Sequence, residues 1–282
     1  MEIYHKKEDF IPLIKIFKSQ NKNIGFVPTM GALHEGHLSL IKKGLLQNDV
    51  MVVSIFVNPT QFNNKEDLKN YPRTLNRDIE LLKTLSETIL VFAPTTQDIY
   101  GSHITATHFE YDGLEHQMEG KFRPGHFDGV GTIVKRLLEI VQPDNAYFGE
   151  KDFQQLRIIQ KLVEKNQLPV KIIGCSIFRA KDGLAMSSRN ERLQPEYRKA
   201  APFIYKTLKA AKAQFRTKSA NAVTKWVESQ FAKHKLLQLE YFAIADEETL
   251  KTVQRKSNKK QYRAFIAVFA DDIRLIDNIA LN

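Results

Sequence analysis

The sequence predicts an α/β fold in which a doubly wound, parallel Rossmann-like domain (residues 1–176) precedes a smaller α+β domain (residues 177–282). Residues 50–57, VMVVSIFV, form a strand that is apolar on both faces, which is typical of parallel sheets covered by helices on both sides. Two further strands, 24–27 and 146–148, each lead into a glycine-containing turn and a helix, the repeating unit of such a sheet. Beyond residue 176 the pattern changes to helices followed by alternating strands.

The remaining elements of the first domain follow from the spacing of apolar residues. Intervals of three and four predict helices. These helices cover residues 9–20, 37–45, 74–86, 130–141 and 153–163. Short runs rich in β-branched residues predict strands. These strands cover residues 24–27, 50–57, 88–92, 146–148 and 170–174, with residues 104–110 as a further strand at an edge.

The second domain follows a polar loop, residues 176–192. Helices are predicted over residues 195–213 and 219–233, and strands over residues 239–244, 263–269 and 273–276. The sequence Ala-Asp-Asp at residues 270–272 predicts a hairpin connection between the last two strands.

Composition restricts the class of protein and its partners. Hydrophobic residues make up 43% and charged residues 26%, which is typical of a packed globular chain. The single cysteine, Cys175, excludes an internal disulfide and fits a reducing compartment. With no signal-peptide pattern and no membrane-length apolar run, we expect a cytoplasmic protein without a membrane partner. The net charge of +10 suits anions, but its densest run, residues 251–263, has little aromatic interleaving, so we expect no nucleic-acid partner.

The strongest chemical signal is the stretch IGFVPTMGALHEGH, residues 24–37. The first turn of a helix offers unpaired N–H groups and the positive end of the helix dipole, so an anion binds well there. Gly36 allows a ligand to approach the backbone, and His34 and His37 are spaced to share one helix face. Imidazoles at that position can donate to phosphoryl oxygens. The alternative is one helix-capping histidine and one solvent-facing histidine, and the preceding strand and turn favour the phosphate site.

Side chains at the same edge of the predicted sheet extend this site. Asn58 and Gln61 follow the second predicted strand and carry amides that suit a hydroxy acid, although loop capping is an alternative. Asp78 lies near a helix start, where it either complements the helix dipole or binds Mg²⁺, and the dipole is the favoured explanation. The loop GKFRPGHFD, residues 120–128, either closes over an anionic substrate or forms an ordinary surface turn.

Two later motifs offer further groups for a nucleotide. Gly149, Glu150, Lys151 and Asp152 join a strand to a helix, so that Lys151 supplies a positive charge and Asp152 caps the helix or binds a ribose hydroxyl. Gln155 shares the helix face of Asp152. The sequence Met-Ser-Ser-Arg at residues 186–189 combines hydroxyls with a guanidinium, which suits either a polyphosphate or a helix cap.

Together these motifs resemble a known family. PTMGALHEGH, FVNPTQF, YPRT, RPGHF, YFGEKDFQQL and DGLAMSSRN, in this order, are similar to the pantothenate synthetases, the ATP-dependent pantoate–β-alanine ligases. The similarity is dense over residues 24–192 and continues to RLIDN near the carboxyl end. HEGH alone is shared with the wider nucleotidylyltransferase superfamily, so a transferase acting on a phosphorylated acceptor is the alternative enzyme, and a basic nucleic-acid-binding module is the alternative without catalysis.

The resemblance implies a reaction and a set of roles. Pantoate would attack the α-phosphate of ATP, with Mg²⁺ as cofactor, and β-alanine would then displace AMP from pantoyl adenylate. His37, His34 and Lys151 would be catalytic, and Gln61 and Gln155 would bind substrate. The residues implied to bind ATP are Met30, Gly31, Ala32, Leu33, His34, Glu35, Gly36, His37, Gly149, Glu150, Lys151, Asp152, Phe178, Met186, Ser187, Ser188 and Arg189.

The resemblance also implies a homodimer in which the second domain acts as a lid. One segment departs from the family pattern, because Ser176, Ile177 and Phe178 stand where relatives usually have a proline, a threonine and a small aliphatic residue. Phe178 would meet adenine, so the departure affects nucleotide packing more than the reaction. The sequence does not identify a base for the β-alanine amine, and it does not identify the metal ligands.

Overall fold

The computed structural model describes residues 1–63, 65–253 and 255–282. The chain forms two compact units, one of residues 1–150 with 155–176 and the other of residues 151–154 with 177–282. Among the described residues, none of the helices is long and apolar enough to cross a membrane.

A six-stranded parallel sheet forms the centre of the first unit. Its strands are β1 (Glu2–Tyr4), β2 (Ile24–Thr29), β3 (Val50–Ile55), β4 (Leu90–Phe92), β5 (Asn145–Gly149) and β6 (Lys171–Cys175). The strand order is β1-β4-β3-β2-β5-β6, and every neighbouring pair is parallel. The order reverses between β2 and β5, so the crevice where ligands bind in doubly wound sheets lies at the carboxyl ends of these two strands. The doubly wound fold predicted from the sequence is confirmed.

The helices of the first unit are α1 (Lys7–Ser19), α2 (Glu35–Leu45), α3 (Lys65–Asn70), α4 (Leu75–Lys83), α5 (Thr96–Tyr100), α6 (Met118–Phe122), α7 (His126–Val141) and α8 (Phe153–Lys165). The periodic helices were predicted, whereas α3, α5 and α6 are too short to show a period. The apolar stripe of α2 packs on β2 and β3, where Leu38, Ile41, Val27 and Val53 are buried. This packing fixes the start of α2 beside the crevice.

The predicted edge strand at residues 104–110 is wrong. The structure has no strand there, and the sheet edge beside β4 is taken by β1, which is too short for its sequence pattern to reveal. Side chains of α7 bind the backbone of the segment, because Thr107 N donates to Thr132 Oγ1 at 2.8 Å and Phe109 N donates to Asp128 Oδ1 at 3.1 Å. The β-branched segment is therefore held by side chains and not by a neighbouring strand.

The described part of the second unit combines three α-helices with an antiparallel sheet. The elements are α9 (Pro195–Ala200), α10 (Phe203–Phe215), α11 (Ala220–Ala232), β7 (Leu237–Asp246), β8 (Tyr262–Ala270) and β9 (Ile273–Ala280), with sheet order β7-β8-β9. The single helix predicted over residues 195–213 is two helices, because Pro202 has no N–H to continue the ladder and instead precedes α10. The hairpin is confirmed, since Ala270 pairs with Ile273 and Asp271 adopts φ +57°.

Candidate active site

The loop from β2 to α2 turns sharply because two successive residues, Gly31 and Ala32, adopt left-handed φ angles of +80° and +49°. A left-handed alanine is strained and needs support from its surroundings. That support comes from Asp78 on α4, whose Oδ2 accepts from Ala32 N at 3.0 Å and whose Oδ1 accepts from Leu33 N at 2.7 Å. The hydroxyl of Thr74 donates to the same carboxylate.

Asp78 is completely buried, and burial raises the pKa of its carboxyl while the two backbone hydrogen bonds lower it. The side chain lies in the first turn of α4, which agrees with the favoured prediction of a dipole interaction. Its main contacts, however, are to the loop before α2, which the sequence did not indicate. Both oxygens accept from backbone N–H groups, which compensates for the burial of this carboxylate.

The two histidines of HEGH cap α2 together. His34 is the N-cap, and its Nδ1 accepts from Gly36 N at 3.1 Å, while His37 Nδ1 accepts from His34 N at 3.3 Å. A ring nitrogen that accepts carries no proton, so each neutral imidazole carries its proton on Nε2. The ring centroids are 4.1 Å apart. Capping and ligand binding, which the sequence left as alternatives, are therefore compatible: the cap sets the tautomer that makes Nε2 a donor.

Most N–H groups of the loop are already engaged within the protein. They belong to Gly31, Ala32, Leu33, His34, Gly36 and His37, and their acceptors are Thr29 Oγ1, the Asp78 carboxylate, His37 Nδ1, His34 Nδ1 and the carbonyl of His34. The sequence suggested these N–H groups as the anion site. The imidazole Nε2–H groups of His34 and His37 are of the chemical type that can donate to a phosphate.

Gln61 lies at the end of a 3₁₀ turn, Pro59–Gln61, after β3. The buried side chain of Asn58 donates from Nδ2 to Gln61 Oε1 at 3.1 Å and to the Gly129 carbonyl at 3.1 Å. Its Oδ1 accepts from the hydroxyl of Tyr100, which fixes the orientation of the Asn58 amide. Gln61 Oε1 is therefore an acceptor and Nε2 a donor, and Nε2 lies 3.1 Å from Met30 Sδ. Asn58 positions Gln61 beside the loop before α2.

The predicted loop at residues 120–128 contains the end of α6 and the start of α7, and it fastens the backbone of Gln61. Arg123 donates to the Gln61 carbonyl at 3.2 Å, and His126 Nδ1 donates to the same oxygen at 2.8 Å. His126 is buried, and Gly125 before it has φ +76°. The structure thus gives this loop a role that was neither of the two predicted ones: it holds the backbone of Gln61, a candidate substrate-binding residue.

A cavity of about 320 Å³ opens at the carboxyl edge of the sheet in the first unit. Met30, Gly31 and Asp78 form one wall, and residues after β3 and β4 form the others. This volume lies in the range of small-molecule sites. Met30 and Gly31 of the loop before α2 border this cavity, whereas His34, His37 and Gln61 are not among its lining residues.

The chain leaves β5 at Gly149, and Glu150 to Asp152 form a 3₁₀ turn before α8. Glu150 belongs to the first unit, while Lys151 and Asp152 belong to the second. Lys151 Nζ lies 3.6 Å from Asp152 Oδ1, and the Lys151 carbonyl accepts from Asn278 Nδ2 at 2.9 Å. The carboxyl end of β5 is next to that of β2, which places Gly149 and the HEGH loop at the same edge of the sheet.

The polar loop of the second unit is held by specific contacts. Met186 N donates to the Phe178 carbonyl at 3.0 Å, and Ser187 Oγ accepts from Arg189 N at 3.3 Å as the cap of a 3₁₀ turn, Ser188–Arg192. Arg179 forms a two-point ion pair with the buried Asp277, at 2.6 and 2.9 Å. Ser187 therefore acts as the cap that the sequence left as an alternative, and Phe178 is 41% exposed.

Comparison with known proteins decides the family. The family model described as Pantoate-beta-alanine ligase matches residues 2–280. This chain belongs to the pantoate–β-alanine ligase family. It is 60% identical to the pantothenate synthetase of Flavobacterium psychrophilum over 281 residues, covering 100% of both chains. It is 58% identical to that of Christiangramia forsetii, again over 100% of both chains.

Solved structures of the family share the fold. The pantothenate synthetase of Thermus thermophilus matches with a TM-score of 0.91 and 37% identity, over 100% of this chain and 99% of that one. The Francisella tularensis pantoate-beta-alanine ligase, a complex with beta-gamma ATP and beta-alanine, matches with a TM-score of 0.79 and 38% identity, over 100% and 98%. The chain is therefore a ligase with the Rossmann-like fold of this family.

The candidate residues of this ligase are distributed over the two units. The first unit carries Met30 to His37, Gln61, Gly149, Glu150 and Gln155, and the second carries Lys151, Asp152, Phe178 and Met186 to Arg189. Sequence reasoning missed the contacts of Asp78 with the loop before α2, and it gave no structural role to His126 or Asn278. Their partners are far away in the chain, at Leu33, Gln61 and Lys151, and no local pattern could reveal them.

Proposed function

We propose that this ligase condenses (R)-pantoate with β-alanine at the expense of ATP, forming pantothenate, AMP and pyrophosphate. The observation that carries the proposal is the histidine cap of α2, which lies at the strand-order reversal of a parallel sheet. The loop before this cap contains Met30, whose Sδ lies 3.1 Å from Nε2 of the oriented Gln61 amide. The names of the relatives, and the complex of the Francisella tularensis protein with beta-gamma ATP and beta-alanine, support the same substrates.

The first step requires alignment and charge stabilisation. A carboxylate is ionised at neutral pH, so an oxygen of pantoate attacks the α-phosphorus without a general base, and the bond to the pyrophosphate oxygen breaks. We propose that the Nε2–H groups of His34 and His37 donate to phosphoryl oxygens as their charge grows. Lys151 supplies a positive charge to the same phosphates.

In the second step the amine of β-alanine attacks the acyl carbon of pantoyl adenylate and AMP leaves with the former carboxylate oxygen. The amine loses a proton, and no described side chain is assigned to accept it. We propose that Gln61 and Gln155 bind pantoate, with Gln61 also near β-alanine. The Gln61 amide has a fixed orientation that suits substrate binding. Asn58 donates to Oε1 of Gln61, so Nε2 of Gln61 is the donor and lies next to Met30.

The nucleotide contacts are proposed by segment. Met30 to His37 and Met186 to Arg189 bind the phosphates, together with the Lys151 side chain. The rest of the segment Gly149 to Asp152 binds the ribose and adenine, with Phe178 against adenine. Residues 1–176 and 177–282 are the two proposed domains, and the second acts as a lid.

Mg²⁺ is the proposed cofactor, and the residues present fit an ion that arrives with ATP. Mg²⁺ in nucleotide enzymes is held mainly by substrate phosphates and water, with at most one or two carboxylates. Among the described residues, histidine, cysteine and acidic side chains form no cluster of three that could hold an ion by themselves. When bound, Mg²⁺ neutralises charge on the phosphates.

We also propose a cytoplasmic homodimer. The exposed segment at residues 104–110 supports a second copy as partner, because side chains of α7, rather than a strand of the sheet, hold its backbone at Thr107 and Phe109. An exposed backbone segment of this kind can pair with a strand of another chain. Light scattering on a gel-filtered sample should give about twice the 32.5 kDa of one chain, and a mass of 32.5 kDa at micromolar concentration would refute the dimer.

Oxygen labelling tests the proposed chemistry. Pantoate labelled with ¹⁸O in its carboxylate should transfer one ¹⁸O to AMP for each pantothenate formed, because AMP departs with a carboxylate oxygen. Mass spectrometry of AMP measures the transfer. Label in inorganic phosphate or none in AMP, with pantothenate still formed, would exclude pantoyl adenylate.

A further inference from the structure

Asn278 on β9 makes a contact that the proposed reaction does not use directly. Its side chain is 1% exposed, and its Nδ2 donates to the backbone carbonyl of Lys151 at 2.9 Å. Both residues belong to the second unit, although 127 positions separate them in the chain. The bond therefore ties the turn that carries Lys151 to the carboxyl-terminal sheet.

The orientation of the Asn278 amide is fixed by its other partner. Arg263 Nη1 donates to Asn278 Oδ1 at 2.7 Å, and a guanidinium can only donate, so the oxygen must face Arg263 and the amino group must face Lys151. Arg263 is itself held, because its Nε donates to Glu247 at 2.8 Å and its guanidinium lies 3.9 Å from the centre of the Phe153 ring. The amide is thus part of a rigid chain of contacts.

The neighbouring residue ties a second segment to the same strand. Asp277 accepts from Arg179 through both oxygens, and Asp277 Oδ1 also accepts from Asn278 N at 2.7 Å. Arg179 directly follows Phe178, whose carbonyl accepts from Met186 N. The pair Asp277 and Asn278 therefore anchors two segments that are proposed to bind the nucleotide, namely the turn that carries Lys151 and the loop that carries Phe178 and Arg179. This gives a physical role to the last two residues of the sequence RLIDN.

We propose that Asn278 is a positioning residue for adenylation, which holds the Lys151 carbonyl so that the Lys151 side chain meets the phosphates in one fixed geometry. The inference rests on the proposed role of Lys151. A lysine has a long, flexible stem, so its placement depends on a backbone that does not move. A displacement of about 1 Å in such a group can reduce a rate by about 100-fold.

The chain offers a control with a similar pattern of hydrogen bonds. Asn282 also joins two backbone groups with its amide, accepting from Tyr262 N at 2.6 Å and donating to the Lys260 carbonyl at 3.0 Å. It does not contact the turn of Lys151 in any described bond. Asn278→Asp and Asn282→Asp each replace an amino group that binds a carbonyl by an oxygen that cannot. The two sites differ in which carbonyl is released and also in burial, because Asn278 is buried and Asn282 is exposed.

The test measures pantoate-dependent exchange of pyrophosphate into ATP, with circular dichroism and thermal unfolding as checks on the fold. Asn278→Asp should reduce kcat/KM for ATP by about 30 to 300-fold, while Asn282→Asp changes it by less than about 3-fold. Because Asn278→Asp buries an added charge, Asn278→Ser is made in parallel as a neutral variant that also cannot reach the carbonyl. The KM for pantoate should change much less than the KM for ATP in both.

A double-mutant cycle separates positioning from a general structural role. Lys151→Ala should itself reduce kcat/KM for ATP by at least about 100-fold. Adding Asn278→Ser to that variant should reduce kcat/KM by less than about 3-fold more. Multiplicative losses in the double variant would overturn the inference, as would a folded Asn278→Ser with normal exchange. If Lys151→Ala alone has normal exchange, the proposed role of Lys151 fails first and the inference fails with it.

Discussion

Asp78→Asn is the most informative single change in the first unit. The buried carboxylate binds the N–H groups of Ala32 and Leu33 and so holds a loop with two left-handed residues. Asparagine has the same shape but only one oxygen. One of the two N–H groups would then face an amino group, and the loop before His34 would lose half of its support.

The magnitude follows from these bonds. A hydrogen bond to a charged group contributes about 1.5 to 3 kcal/mol, and removing a buried charge offsets part of that loss, so we expect Asp78→Asn to destabilise the protein by about 1 to 2 kcal/mol. Asp78→Ala leaves both N–H groups without this acceptor, at about 1 to 3 kcal/mol each. We therefore expect the alanine variant to lose about 3 to 5 kcal/mol with the added cavity.

Burial also gives the Asp78 variant a distinct pH dependence. Because the folded-state pKa of Asp78 is raised by burial, the folded protein binds the proton more tightly than the unfolded chain does. The contribution of this group to stability is then fully present below the unfolded pKa and is lost as pH rises through the folded pKa. Asp78→Asn should remove this decline in stability with rising pH. The difference in the free energy of unfolding between wild type and variant should therefore be larger below the unfolded pKa of Asp78 than at neutral pH.

Urea unfolding and the KM for ATP in pyrophosphate exchange measure both effects. The variant should unfold at a lower urea concentration and show a higher KM for ATP. Asp144→Asn is the control, because Asp144 accepts from Ile24 N at 2.7 Å at the opposite end of β2, where a loss of stability should leave the KM unchanged. A folded Asp78→Asn with wild-type stability and wild-type KM would refute this explanation of the loop.

Three other changes test neighbouring parts of the site. Asn58→Asp removes the donor that orients Gln61, so the KM for pantoate should rise about 10 to 100-fold, and an unchanged KM would contradict the orientation. Gly129→Ala would place a Cβ 2.2 Å from a backbone oxygen, so urea unfolding should show a loss of about 1 to 3 kcal/mol or more; wild-type stability would contradict this packing. The pKa of His108 is raised by its hydrogen bond to Asp128. This pair therefore stabilises the fold below the unfolded pKa of His108, and the effect is lost as pH rises through the folded pKa. NMR titration of Asp128→Asn should show a lower pKa for His108, and an unchanged pKa would contradict the contact.

Sequence reasoning succeeded where a local pattern determines the structure. The apolar run that became β3 could only be a central strand, and the order of strand, glycine and HEGH predicted the loop that lies at the reversal of strand order. The proline at position 202 was a signal that the long predicted helix must break, and it was not used. The central strand, the loop before α2 and the break at Pro202 each depend on residues that are close together in the sequence.

The rest of the site depends on contacts between distant parts of the chain. Asp78 reaches a loop 45 positions earlier, and Asn278 reaches Lys151 across 127 positions. Their side chains look like ordinary polar residues in the sequence, because nothing near them reveals the N–H or carbonyl groups that they satisfy. The same lack of information about partners explains the wrong strand at residues 104–110, where side chains of α7 replace a neighbouring strand.

The most direct test of the proposed function is the exchange of labelled pyrophosphate into ATP with Mg²⁺ and pantoate in the absence of β-alanine. Reversible adenylation predicts rapid exchange that requires pantoate and is lost in His37→Ala, while circular dichroism shows that this variant is folded. Exchange that does not require pantoate, or no exchange in a folded protein that binds ATP, would contradict the account.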